Sequence, residues 1–313
     1  MLNSTKDAIQ SQIELKKLLR NNLPGYKVSY TLSYNHNENP LFQLLELSRQ
    51  KGIQDWGQLF LWLSGLKVAP DWFQEGLLDI AAHTRSIDYL IDFDLKKHVI
   101  SYKQAIENCQ KVLLVAHSQG NFYGNAAWYQ VYAATLQGLP INKLRVMGMV
   151  SVGTPASHMG APLFYEGDHR LITRYSTLDS DLIINAYRLI GLTPMAANLT
   201  NSQSSPDWLD HSFTDAYLGV NHSRNVIRNQ IRQVAYSLET LPFDRQPLNS
   251  SALASAGYDP AAQILEVEFA GNGSVYRYYD VPETIYQSLI SASSVGGYYN
   301  SSIRGQFISR RLY

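Results

Sequence analysis

An apolar run, Val112-Leu113-Leu114-Val115, leads through Ala116-His117 into Ser118, and Gln119-Gly120 follows before a segment of helical character opens. Four consecutive aliphatic residues suit a strand buried on both faces, and Gly120 and Gly124 begin a helix after it. The order strand, serine, helix restricts the fold to one in which a parallel sheet delivers side chains at the C-terminal ends of its strands. A sharp strand-to-helix turn lifts the serine oxygen clear of the sheet and aims backbone N–H groups at the space beside it. Such a turn needs small residues. Ala116-His117-Ser118-Gln119-Gly120 has the form G-x-S-x-G with alanine in the first glycine's place, one methyl group larger. A serine at a helix start can also be a plain cap, so reading Ser118 as a nucleophile depends on a base and an acid downstream.

The chain has 313 residues, enough for a large domain and a small one, and its 45% apolar and 17% charged content is that of a globular protein. Lys plus Arg equals Asp plus Glu at 26 each, which removes any bulk electrostatic argument for a nucleic acid or an anionic membrane as partner. Cys109 is the only cysteine, so no intramolecular disulfide and no cysteine-built metal site can form; it reads as a small core residue. No stretch approaches the roughly 20 apolar residues of a membrane span. The first 25 residues carry Lys6, Asp7, Glu14, Lys16 and Lys17 and lack a secretory apolar core. The expected location is cytoplasmic for the sequence as written, or exported if a signal segment precedes Met1.

The pattern along the chain predicts a helix from Thr5 to about Asn21, ended by Pro24-Gly25, then a strand over Tyr26 to Tyr34. Residues 40 to 108 have helical periodicity, with an aromatic patch of Trp56, Phe60, Trp62, Trp72 and Phe73 broken by Gly65 and Pro70. Such a patch fits the wall of an acyl site, but packing of helices on a sheet is the stronger expectation. The helix after Ser118 is expected to run to Gly138 and Pro140. Strands follow at Leu144 to Val152 and Leu171 to Leu178, and a helix from Asn221 to Leu241. Strands alternating with helices imply a mostly parallel sheet flanked by helices, an α/β fold over residues 1–241. Proline, asparagine and serine mark residues 242–251 as a linker. The pattern then changes over residues 252–313. Ile264 to Phe269 and Val275 to Tyr279 alternate with period two around Ala270-Gly271-Asn272-Gly273, a hairpin, and Pro282 starts a helix. A small C-terminal α+β module is expected there.

A serine nucleophile on this topology needs an acid after a later strand and a histidine after that. Asp179 and Asp181 stand at the end of the third strand, where a carboxylate could orient an imidazole and stabilise its protonated form. Asp181 precedes Leu182-Ile183, which tucks its loop onto the sheet, and is favoured; Asp179 is the alternative acid, and whichever is not used is expected to cap a helix. Of eight histidines only His211 and His222 follow these aspartates. His211, in Asp210-His211-Ser212-Phe213, lies on a polar loop and is the candidate base, while His222 reads as part of a helix start. His36, His117 and His158 fall at the same sheet edge but in the wrong order for the base. The oxyanion hole should use the Gln119 backbone N–H and one more from a loop after an earlier strand.

Val-Ala-His-Ser-Gln-Gly-Asn, Val-Gly-Thr-Pro-Ala-Ser-His and Asp-His-Ser-Phe, at residues 115–121, 152–158 and 210–213, resemble the α/β-hydrolase superfamily in its bacterial lipase or esterase-like branch. The resemblance implies Ser118 as nucleophile, His211 as base and Asp181 as acid of a catalytic triad that acts on a small-molecule or lipid ester without a cofactor or metal. Relatives carry a strand and an Asn-Gly type loop before the segment resembling Leu2 to Ala8. Either Leu2 and Asn3 supply the second oxyanion donor, or a strand precedes Met1; an inactive hydrolase scaffold that presents the C-terminal module is the competing expectation. Tyr258-Asp259, Tyr276-x-Tyr278, Val281-Pro282, Ala292-x-Ser294 and Ile303-Arg304 resemble the KTSC domain, a unit named from the C-termini of some lysyl-tRNA synthetases. From Asp244 onward the chain has five arginines, six acidic residues and no lysine, which is not the footprint of a nucleic-acid binder. Tyr276 and Tyr278 are accordingly expected to pack across strands.

Overall fold

A computed structural model describes residues 5–33, 44, 47–48, 50–53, 56–63, 67–76, 93–136, 139–160, 165–189, 192–241 and 244–312. It is a mixed α/β structure whose described residues form a three-stranded parallel sheet, a five-stranded antiparallel sheet and a two-stranded antiparallel ribbon of Thr135–Leu136 with Leu139–Pro140. In the first part, helix α1 (Thr5–Leu19), α2 (Trp56–Leu63) and α3 (Phe93–Glu107) precede strand β1 (Val112–His117), helix α4 (Gly120–Tyr132), β2 (Met147–Val152) and β3 (Thr173–Ser176); α5 (Leu182–Leu189) and α6 (Asn221–Ser237) follow. The three strands are parallel in the order β1-β2-β3, with Val112 opposite Met147 and Val152 opposite Ser176.

Strand β2 is buried along its whole length because helices cover both faces. Successive residues of a strand face opposite ways, and Gly148 and Met149 show which helix lies where. A Cβ on Gly148 would meet the Val234 side chain of α6 at 2.4 Å, and a Cβ on Gly124 of α4 would meet the end of Met149 at 2.6 Å. Helix α6 buries Ser223, Ile227, Ile231 and Val234, an i, i+4 stripe toward the sheet. Trp128 and Tyr132 of α4 lie in the same core, and the Tyr132 hydroxyl donates to the Met147 carbonyl at 2.7 Å.

Several expectations shift. Residues 26–33 have no regular secondary structure and join no ladder, although 29–33 and β1 line the same cavity. Helix α4 stops at Tyr132, short of Gly138. Cys109 is exposed, not in the core: it takes φ +57° where the chain leaves α3, and a left-handed residue at a helix end points its side chain outward. Of the aromatic patch, Trp62 and Phe73 stand 5.2 Å apart and share a core with Ile183, Ile184 and Tyr187 of α5, a packing of helix on helix; the side chains of Trp56 and Phe60 lie outside the described ones. Among the described residues no helix is long and apolar enough to cross a membrane.

The second sheet contains β4 (Gln246–Pro247), β5 (Leu253–Asp259), β6 (Ile264–Phe269), β7 (Val275–Tyr278) and β8 (Ser309–Arg311), antiparallel in the order β8-β7-β6-β5-β4. Gln246–Pro247, within the segment read as a linker, is thus already part of the sheet. Helices α7 (Glu283–Ser291) and α8 (Val295–Ser302) contribute Leu289, Val295 and Tyr299 to its core. Tyr276 lies edge-on to Phe269 of the neighbouring strand at 5.5 Å, the cross-strand packing expected, whereas the Tyr278 hydroxyl is 2.6 Å from that of Tyr299 on α8, a strand-to-helix contact.

This module attaches to the N-terminal ends of the parallel strands. Lys111, directly before β1, pairs with Asp259 at 2.8 Å, and both side chains are largely buried. Arg277 of β7 is ion-paired with Glu239 at 3.0 Å and with Glu266 at 2.7 Å, and donates to the Thr240 carbonyl at 2.9 Å. Glu239 also accepts the Arg145 backbone N–H at 2.6 Å. Removing the cation that stands between these two buried carboxylates leaves uncompensated charge, so Arg277→Met should lower the unfolding free energy by about 3–5 kcal/mol. Urea denaturation measures this, and a loss below about 1 kcal/mol would mean that the network does not brace the two parts.

Candidate active site

Ser118 follows β1 with φ +53°, a left-handed conformation that a non-glycine residue holds only when its surroundings impose it. Its own N–H continues the ladder to the Val152 carbonyl at 3.1 Å. The buried Asn121 side chain donates to the Ser118 carbonyl at 2.8 Å and to the Val152 carbonyl at 3.2 Å. Strand end and helix start are therefore tied together, and the serine side chain stands in the turn between them.

His211 arrives from the loop before the wide turn Phe213–Tyr217, and its Nε2 lies 2.8 Å from Ser118 Oγ. On the other side its Nδ1 lies 2.9 Å from Asp181 Oδ2 and 3.0 Å from Oδ1. Carboxylate oxygens only accept, so Nδ1 carries the proton and Nε2 accepts from the serine hydroxyl. Asp181 has no exposure, and three groups meet the cost of burying it: the His211 Nδ1–H, the Ile184 N–H at 3.0 Å and the Tyr217 hydroxyl at 2.7 Å. Burial, and then the Asp181 charge, raises the Tyr217 phenol well above its ordinary range, so it remains a donor.

Ser118, His211 and Asp181 thus come together, and Asp179 does not join them. Asp179 is exposed and accepts from the Thr200 hydroxyl at 2.6 Å. The helix-capping role expected of the unused aspartate falls instead to Asp181, through its bond to Ile184 N–H. Gln119 directly follows Ser118 at the N-terminal boundary of α4 and is buried. Asn3 and His36 lie outside the described residues. His222 lies in the first turn of α6, His158 is exposed, and His117 sits beside His211.

Sequence reasoning misses two contributors, Asp207 and Tyr217, and places His117 at this sheet edge without its partner. Asp207 Oδ2 accepts the backbone N–H groups of His211 at 2.7 Å and Ser212 at 2.6 Å, shaping the loop that carries the base. Its signal is Asp207 four residues before the histidine, a local carboxylate-to-backbone turn. Tyr217 gives no local signal, because its contact with Asp181 spans 36 residues. His117 Nε2 lies 2.8 Å from the His211 carbonyl oxygen.

A cavity of about 590 Å³ opens at Ser118 and runs along the free edge of β1, with Leu15, Tyr30, Leu95, Tyr102 and Phe213 among its walls. Among the described residues no group of His, Cys, Asp and Glu is placed to hold a metal ion.

A family model described as the KTSC domain matches residues 249–307. A protein of Tsukamurella paurometabola is 45% identical over 62 residues, 20% of this chain and 91% of that relative. A protein of Stutzerimonas stutzeri is 48% identical over 62 residues, 20% of this chain and 86% of its own. A lysine–tRNA ligase of a Nostoc species is 44% identical over 74 residues, which make up 24% of this chain and 13% of the ligase. The solved structure of a KTSC domain protein from Yersinia pestis is 39% identical, covers 23% of this chain and all of that one, and gives a TM-score of 0.22.

Burial first, and then the neighbouring His211, push the His117 imidazole down from 6.5 to about 3. Between those values the unfolded chain holds a proton at this position that the native protein does not, so stability falls as pH drops from 6.5 toward 3. His117→Gln, which cannot titrate, should flatten the loss of stability between pH 7 and pH 4 in urea titrations. An unchanged pH slope would show that His117 titrates normally in the native state.

Proposed function

We propose that this chain, which belongs to the KTSC-domain family through residues 249–307, is a serine hydrolase of the α/β-hydrolase type that cleaves carboxylic esters. The observation that carries the reading is the continuous relay from Ser118 Oγ through His211, at 2.8 Å and 2.9 Å, to a carboxylate with no exposure. A serine hydroxyl is a weak nucleophile until a base takes its proton, and a base so oriented is what turns it into one.

In the proposed cycle Ser118 Oγ bonds to the ester carbonyl carbon as its proton passes to His211 Nε2. The carbonyl oxygen takes the negative charge and accepts from the Gln119 N–H. Asp181 stabilises the imidazolium, which then protonates the departing alkoxide as the ester C–O bond breaks and the carbonyl re-forms. Water, deprotonated by the same nitrogen, attacks the acyl-serine; collapse breaks the acyl–Oγ bond, returns the proton to Ser118 and releases the acid.

A cavity of about 590 Å³ is in the range of small-molecule sites, and its aliphatic and aromatic walls favour an apolar acyl group, including that of a lipid ester. The competing picture, an inert scaffold presenting a binding module, predicts a folded protein in which Ser118 does not react.

A fluorophosphonate probe should label the folded protein at Ser118, and Ser118→Ala should abolish labelling while leaving the melting temperature within a few degrees. Asp181→Asn should reduce hydrolysis of a p-nitrophenyl ester by about 10³–10⁴-fold, because the imidazole would lose its required tautomer. Mass spectrometry of the labelled peptide decides the first point; an unlabelled Ser118 in folded protein sinks the hydrolase reading.

A further inference from the structure

We propose that His117 is a positioning residue for the base: its Nε2–H holds the carbonyl oxygen of His211 and so fixes the imidazole over Ser118. The proposal rests on the serine-hydrolase reading and goes beyond it, since the relay of Ser118, His211 and Asp181 leaves His117 without a part.

The base is carried on an irregular loop, so its placement depends on what ties that loop down. Asp207 accepts the N–H groups of His211 and Ser212, but it belongs to the loop and only shapes it. The Leu182 N–H holds the Leu209 carbonyl at 2.9 Å and anchors the loop to α5. A further tie runs to the strand that presents the nucleophile: His117 Nε2 to the His211 carbonyl oxygen at 2.8 Å. A carbonyl oxygen cannot donate, so this nitrogen carries the proton. His117 and Ser118 are adjacent in the chain, and the bond therefore measures the base's backbone directly against the nucleophile's. The two imidazole rings also touch, with centres 4.8 Å apart, and His117 is backed by Phe213 at 5.5 Å and Tyr217 at 5.9 Å.

The chemistry needs more than a side chain of the right volume. The donor must stay neutral, because a second positive charge next to His211 would oppose the imidazolium formed during attack. Burial keeps His117 in that state, pushing its imidazole down to about 3. A lysine or arginine donor would lack this property. The strand position beside the nucleophile thus combines a fixed donor with no charge, which a neutral imidazole supplies.

Geometry makes the test specific. A glutamine amide nitrogen reaches the place of imidazole Nε2, an asparagine nitrogen reaches only the place of Nδ1, and leucine fills the volume with no donor. The full-length variants His117→Gln, His117→Asn and His117→Leu are compared for the rate of fluorophosphonate labelling at Ser118, with the maximal rate and the half-saturating probe concentration determined separately. Asn and Leu should lower the maximal rate by about 10–100-fold with the half-saturating concentration within about twofold, because misplacing a reacting group costs rate and not binding. Gln should stay within about threefold of the wild type. Labelling of the wild type together with an undiminished rate in both the Asn and Leu variants overturns this inference alone, as does a Gln variant as slow as Leu. If one of the Asn and Leu variants does not fold, the other still decides. Wild-type protein that is folded and unlabelled removes the hydrolase reading and this inference with it.

Discussion

The carboxylate of Asp181, with no exposure, sits where β3 hands over to α5, and three separate pieces of the chain end on it. Ile184 N–H brings the first turn of α5, Tyr217 brings the wide turn before α6, and His211 brings the loop between them. A buried carboxylate without donors would cost far more than the fold could bear, so each of these segments is held as firmly as the charge demands. Tyr217 extends the constraint, because its hydroxyl also accepts the Leu178 N–H at 3.1 Å. The placement of the imidazole over Ser118 follows from this arrangement.

The two ends of the parallel sheet divide the work. At the C-terminal ends lie Ser118 and Asp181, where helices begin and side chains can converge on a cavity. At the N-terminal ends lie Lys111 and Arg145, and there the KTSC module is fixed through Asp259, Arg277 and the stacking of Arg145 over Tyr279 at 4.5 Å. A strand of six residues separates the two, roughly 20 Å at about 3.3 Å per residue. The charges that join the module are therefore far from Ser118 and Asp181. In this chain the buried face of the module meets the cis domain.

Much of the site is legible in local pattern. Strand, Ser118 and helix are consecutive, so the turn needs no distant partner to be recognised. The choice of His211 over His222 rests on loop against helix start, and α6 begins at Asn221 as that choice requires. Local pattern fails where a long-range contact or a backbone angle decides. The β-rich residues 26–33 have the composition of a strand, yet a strand is defined by a neighbour at pairing distance, and they join no sheet. Cys109 is of a residue type most often buried, yet it lies exposed with φ +57° just after a helix end. Asp179 and Asp181 differ little in sequence; burial under Tyr217 and the base loop separates them.

The sequence by itself determined the alternation of strands and helices, the serine between a strand and a helix, the order serine, aspartate, histidine, and the hairpin-bearing C-terminal module. These are properties of periodicity and chain order, carried by neighbouring residues. The sequence favoured Asp181 over Asp179; the tertiary structure alone decided that Tyr217 meets this aspartate, that His117 bonds the His211 carbonyl, and that Arg277 joins the module to the sheet through Glu239. Tyr217 and Asp181 are 36 positions apart and His117 and His211 are 94, yet the packing of the core brings each pair within 3.0 Å. No local propensity encodes such a distance; it follows from how buried polar groups must find partners once the apolar faces have closed.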